Sequence, residues 1–232
     1  MDVAFVLVHS PLVGPLTWAP VASALTAAGV AAVVPSLLGV TDAAPPFWPG
    51  IARRVADAVA GLPAGAPLVV VAHSNAGYFV PVIVEALREP VAGRVFVDAA
   101  LPARTGPTRI VASSVPDRLW TAGSDGRLPP WTAWWPDADV AGLFPDPGTR
   151  RAVEAEVPRL PFTYYQQEIP VPDGWDAGPC GYLWFSEHYG PKAQDAGERG
   201  WDVEHLPGQH LHQLVEPEAV AARLVKLAGR RR

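Results

Sequence analysis

Chemistry in this 232-residue chain centres on one serine. Ser74 lies between Ala72 and Ala76, where a valine-rich run, Leu68 to Val71, gives way to a helix-like pattern that begins near Ala76. A strand that turns sharply into a helix at a serine lifts the hydroxyl to the top of a sheet. Small neighbours are needed there because the serine backbone is strained and the helix must pass close to the strand. Alanines stand at both positions where the usual five-residue pattern has glycine, with Gly77 next in line. A serine hydroxyl is a weak nucleophile at neutral pH and needs an adjacent base to take its proton. A carboxylate behind that base would hold its tautomer and stabilise its protonated form.

Those partners have to be delivered by the elements around Ser74. Val3 to Val8 is a short continuous apolar run, as expected of a parallel strand buried on both faces. It ends in a breaker-rich loop from His9 to Gly14. Apolar residues at helical spacing follow from Trp18 to Ala28, closed by Gly29, then a strand from Val30 to Val34 stopped by Pro35. Ile51 to Leu62 reads as an amphipathic helix, with Arg53, Arg54 and Asp57 on its wet side. The strand before Ser74, its helix to about Glu89, and a strand from Val95 to Val97 ending at Asp98 complete the alternation. Strand and helix in regular succession specify a parallel sheet covered by helices on both faces.

The rhythm breaks after Pro102. Residues 103–178 are rich in proline and carry Trp120, Trp131, Trp134, Trp135, Phe162, Tyr164, Tyr165 and Trp175. Helical pieces are expected near 137–143 and 149–157, and no strand. Such a long irregular stretch inside a compact domain reads as a functional lid. Trp131, Trp134 and Trp135 fit lid core better than substrate contact. Alternation resumes with a strand from Gly181 to Phe185, a helix from Pro191 to Gly200, a strand from Asp202 to Leu206, and a closing helix from Pro217 to Lys226. Proline suits the first turn of that last helix. The expectation is one α/β domain over 1–232, with a mostly parallel sheet of about six strands and an inserted cap over 103–178.

Composition narrows the functional classes. The chain is 49% hydrophobic and 18% charged with a net charge of −5, which fits a globular protein rather than a disordered one. An acidic balance leaves no electrostatic footprint for nucleic acid or an anionic membrane. The short basic run Arg230 to Arg232 reads as a solvated chain end. Cys180 is the only cysteine, so neither a disulfide framework nor a cysteine metal site is expected. No pair of histidines has the helical spacing of a zinc site, and glycine-rich phosphate loops are absent, so no metal or nucleotide cofactor is expected. No secretory signal pattern or membrane-length apolar run is evident, which gives a cytoplasmic protein as the expectation.

Four landmarks now stand in order: the strand ending at His9 and Ser10, the Ser74 turn, the strand ending at Asp98, and the loop from Gly208 through His210 to Pro217. In order and spacing the chain resembles the α/β-hydrolase superfamily. It is similar to the small members with a cap between the strands ending at Asp98 and Phe185, a layout partly shared by plant hydroxynitrile lyases and esterases and by haloalkane dehalogenases. The resemblance implies Ser74 as nucleophile and His210 as base, in a loop before the proline of the final helix, with His212 as competitor. It implies an acid either after the strand that follows the Ser74 helix, where Asp98 stands, or one strand later, where Glu187 is the nearest carboxylate. Asp98 is the preferred reading.

The resemblance also implies an oxyanion hole with one backbone N–H from Asn75 and a second from the loop after His9. That second position is Pro11, which has no N–H to donate, so Leu12 N–H or the Ser10 hydroxyl must take its place. The function expected is a cofactor-free serine hydrolase acting on a small, largely apolar ester, lactone or related acyl compound. Two alternatives keep the fold: a lyase or cyclase using Ser74 and His210 as acid–base machinery, and a non-catalytic small-molecule binder.

Overall fold

In the computed structural model, which describes residues 3–111, 115–122 and 125–229, the apolar runs pair into one six-stranded parallel sheet. The elements are β1 (Ala4–Val8), α1 (Ala19–Ala27), β2 (Ala32–Val33), α2 (Trp48–Val59), β3 (Leu68–His73), α3 (Val80–Ala86) and β4 (Val91–Val97). After the irregular stretch come β7 (Cys180–Trp184), α7 (Gly190–Glu198), β8 (Asp202–His205), α8 (His212–Val215) and α9 (Pro217–Gly229). Strand order is β2-β1-β3-β4-β7-β8. The basic run at Arg230–Arg232 lies outside the described residues.

Each central strand is apolar on both sides because each side meets helices. Phe5, Leu7, Val69, Val71, Val95 and Val97 point to one face and pack with Trp18, Leu25, Val220 and Leu224 of the α1 and α9 side. Val6, Val8, Val70, Ala72 and Phe96 point to the other and pack with Ile51, Val55, Ile83, Ala193 and Ala196 of α2, α3 and α7. Alternation of side chains along a strand makes this the only way to bury a continuous apolar run.

Element ends differ from the sequence reading for local reasons. β4 starts at Val91 rather than Val95, because Gly93 and Arg94 pair in register with Val69 and Val70; backbone pairing, not apolarity, sets that end. The helix after Ser74 opens with a 3₁₀ segment, Ser74–Phe79, before α3 begins. A tighter turn lets the chain leave the strand steeply, and 3₁₀ geometry is common at such helix starts.

Between β4 and β7 the chain builds β5 (Thr108–Arg109), α4 (Asp117–Ala122), α5 (Asp137–Ala141), α6 (Pro147–Glu154) and β6 (Glu168–Ile169). The expectation of no strand in this stretch is corrected: β5 and β6 pair antiparallel, Thr108 opposite Ile169 and Arg109 opposite Glu168. Two residues per strand are too few to show a period in sequence. Asp146 caps α6, its carboxylate accepting from the N–H groups of Gly148 and Thr149. Tyr164, Tyr165, Trp175 and Trp134 belong to the core, with Trp131 packed against it, and Trp131, Trp134 and the exposed Trp135 also line a cavity above Ser74. Among the described residues no helix is long and apolar enough to cross a membrane.

Candidate active site

Two residues other than glycine adopt left-handed backbone among the described residues: Ser74 at φ 56° and Asp98 at φ 41°. That conformation costs a non-glycine residue free energy and persists where the surroundings over-determine it, often at functional sites. Here each strand edge supplies the constraint. Ser74 ends β3 and Asp98 ends β4, and the Ala100 N–H donates to the Ser74 carbonyl at 3.0 Å, tying the two turns together. The Tyr182 hydroxyl accepts from Ala99 N–H at 3.0 Å and donates to the Ala99 carbonyl at 2.6 Å. Asp98 is thus clamped from both neighbouring turns.

Gly77 explains the altered serine pattern. A Cβ there would collide with the Ala100 carbonyl oxygen, so Gly77 is where the helix comes closest to the Asp98 turn. Ala72 and Ala76 are fully buried and accommodated. The glycine requirement has moved one residue along.

Asp98 and His210 meet. His210 Nδ1 lies 3.0 Å from Asp98 Oδ2, with the imidazole partly buried and the carboxylate fully so. Asp98 Oδ1 accepts from the Phe185 N–H at 2.7 Å and the Ser186 N–H at 3.2 Å, and Oδ2 accepts from the Ser186 hydroxyl at 2.7 Å. Burial alone would raise the Asp98 pKa. The His210 bond and these donors outweigh it and hold the carboxyl below its ordinary range. Glu187 is exposed one residue beyond Ser186 and takes no part in this contact. His212 is buried in α8, its ring edge-on to Phe185 and its Nε2 3.6 Å from Glu216, so it too is directed elsewhere.

Three further residues support His210. His73 Nε2–H donates to the His210 carbonyl at 2.9 Å, and the two rings lie 4.6 Å apart. Burial lowers the His73 pKa to about 3, so it stays neutral and serves as a fixed post beneath the loop. Tyr189 stacks on the other side of His210 at 5.0 Å and 3°, with its hydroxyl beside the Ser74 hydroxyl. Ser186 is the third, through Asp98. The roles of Tyr189 and Ser186 depend on the turn after β7, which the sequence marked only through Glu187.

The loop after β1 supplies the remaining wall. His9 Nδ1–H donates to the Ser10 carbonyl at 2.8 Å, and its Nε2 accepts from the Leu37 N–H at 2.9 Å. Burial lowers its pKa to about 4. The Leu12 N–H, one candidate for the second oxyanion donor, points to Ser10 Oγ at 3.3 Å. Ser10 and Leu12 line a small pocket together with Ser74, Trp131 and His210. At the start of the helical turn, the Asn75 N–H belongs to the groups that have no acceptor within the helix.

Above these residues is a cavity of about 480 Å³. Ser74, Asn75, Leu12, Ser186, Tyr189 and His210 form its floor, and Trp131, Trp134, Trp135, Val140 and Leu143 face them. No group of three or more metal-ligating side chains occurs among the described residues.

A parallel sheet with a strained serine at one strand end and a histidine–carboxylate pair beside it defines the class of nucleophile-elbow α/β proteins. The chain belongs to the alpha/beta hydrolase family, whose model matches residues 5–223. Solved structures align over nearly the whole chain. An extracellular alpha/beta-hydrolase from a Paenibacillus species, described as sharing homology with tobacco salicylic acid binding protein 2, is 19% identical with a TM-score of 0.74, covering 98% of this chain and 99% of that one. Tomato methylketone synthase I complexed with 2-tridecanone is 15% identical with a TM-score of 0.73, covering 100% of both. A pyrethroid hydrolase from Sphingobium faniae is 18% identical with a TM-score of 0.71, covering 97% of both. At these identities the likeness is one of fold. A comparison with curated protein sequences returns no match.

Proposed function

We propose that this protein is a cofactor-free serine esterase acting on small, largely apolar acyl compounds, with Ser74, His210 and Asp98 as its triad. The observation that carries the reading is the Asp98–His210 bond of 3.0 Å on the floor of the cavity that also holds Ser74. With Nδ1–H held by Asp98, Nε2 is the basic nitrogen. It takes the Ser74 proton as Oγ attacks the substrate carbonyl, and the tetrahedral anion forms against Asn75 N–H. His210 returns the proton to the departing alkoxide, leaving an acyl group on Ser74. Water then gives its proton to His210 and attacks the acyl carbonyl; collapse releases the acid and restores the serine.

Pro11 removes the usual second donor, and the Ser10 hydroxyl replaces it. Because the Leu12 N–H donates to Ser10 Oγ, the hydroxyl proton of Ser10 is free to point at the oxyanion, and Leu12 acts through Ser10. Residues 103–178 form the cap, and their tryptophans favour an apolar acyl or alcohol group over a sugar or phosphate. The likeness to enzymes named as a hydrolase and a pyrethroid hydrolase supports the same reaction class.

The test is labelling and turnover together. A fluorophosphonate labels the wild type once, at Ser74, and Ser74→Ala lowers kcat on p-nitrophenyl butyrate by about 10³-fold or more. Full turnover by that variant would reject covalent catalysis. A second reading, acid–base lyase chemistry at the same residues, is favoured by Pro11 alone; retained activity without labelling would select it.

A further inference from the structure

The cavity over Ser74 is charged in one direction only. Among the described residues no lysine or arginine lines it, and its single carboxylate is Asp139. Asp139 is exposed, Trp131, Trp134, Trp135 and Tyr189 line the same cavity, and the other titratable side chains facing the space among the described residues are His188 and His210. Asp139 shares α5 with Asp137, but the two acids are used differently. Asp137 is bonded by Arg150, which also binds Glu154. Asp139 has no ion pair or side-chain hydrogen bond among the described residues, although it lines the cavity. Trp135, which lines the same cavity, keeps 42% of its surface exposed.

Aromatic faces attract cations through their quadrupole, and the effect grows as water is excluded. A carboxylate without an ion pair adds a direct Coulombic attraction; the nearby guanidinium groups are engaged elsewhere, Arg118 on the Trp134 carbonyl and Arg150 on Asp137 and Glu154. A carboxylate or phosphate ester would find no cationic donor here and would meet Asp139 as a like charge. Resting on the esterase reading above, the geometry points to a cation-accepting subsite: the substrate class is an ester bearing a quaternary ammonium or protonated amine. The cationic group sits against Asp139 and the tryptophans, while the acyl carbon lies over Ser74.

Isosteric substrates test this. Acetylcholine and butyrylcholine are compared at pH 8 and low ionic strength with 3,3-dimethylbutyl acetate and butyrate, which replace N⁺ by carbon. Each kcat/KM is divided by that ester's hydroxide-catalysed rate constant. The expected ratio, cationic over neutral, is about ten-fold, equivalent to ~1.4 kcal/mol. Asp139→Asn brings the ratio towards one and Asp139→Glu largely keeps it. A wild-type ratio at or below one, or a ratio unmoved by Asp139→Asn, overturns the subsite. Tetraethylammonium is also titrated by tryptophan fluorescence, against sodium chloride at equal ionic strength. Saturable quenching that weakens several-fold in Asp139→Asn supports the subsite even if neither ester is turned over, in which case only the esterase reading has failed. Quenching no greater than that of the salt overturns it.

Discussion

On the proposed mechanism, the Ser10 side chain takes the place of a lost backbone donor. The Pro11 ring deletes an N–H at the place where the family presents one, and the hydroxyl beside it is buried and receives the Leu12 N–H. Ser10→Ala is expected to lower kcat by roughly 10²-fold, the typical cost of one oxyanion donor, with KM changing far less, because the interaction forms only as the anion develops. Steady-state kinetics on p-nitrophenyl butyrate measure it, and an unchanged kcat would assign the stabilisation to Asn75 alone. Pro11 was readable in sequence because its chemistry is a property of the residue itself. Tyr189 and Ser186 were not. A tyrosine stacked on a histidine, or a serine holding a carboxylate, depends on where the turn after β7 places it, and neither residue type is unusual there.

At the scale of elements, the β3-to-α3 turn and the end of β4 behave as one unit. Gly77 has no room for a Cβ because the Ala100 carbonyl occupies the space, and Ala100 N–H bonds back to Ser74. Gly77→Ala is therefore expected to cost about 2–3 kcal/mol, the upper part of the overpacking range, seen as a lower urea midpoint. Ala76→Gly, which restores the familiar spacing, gains nothing comparable because Ala76 already fits. Equal midpoints for wild type and Gly77→Ala would show that the turn relaxes freely. The strand–helix alternation was legible since each apolar run is long enough to carry its period. The small pairing of β5 with β6 was not, and the interval between Pro102 and Gly178 yielded only α5 and α6 in outline.

For the molecule as a whole, two histidines buried without charge set a lower pH limit. His9 and His73 fall from 6.5 to about 4 and about 3 in the folded state, chiefly through burial. The unfolded chain binds protons first as pH drops below 6.5, so stability is complete above that value and erodes as the pH falls towards 4. Asp98, held below its ordinary range, adds a loss at still lower pH, where its folded form begins to protonate. Together the histidines are expected to remove on the order of a few kcal/mol between pH 7.5 and pH 4.5. Urea denaturation at the two pH values measures this, and coincident midpoints would mean that neither ring is held neutral. The burial of His9 and His73 follows from packing between β1, β3 and the His210 loop.

The β5–β6 pairing has one more implication. Thr108 lies opposite Ile169, so the chain leaves the main sheet and returns to it through neighbouring points. An excursion pinned at its neck can change its length or contents without stretching the strands on either side, because closing a longer loop adds little entropy cost. The two-residue clasp is thus a natural splice point. Exchanging residues 110–167 between relatives of this fold would leave the Asp98 turn undisturbed, provided the incoming segment keeps the apolar contact that Val140, Phe144 and Val153 make with Leu211 and Leu214 beside His210.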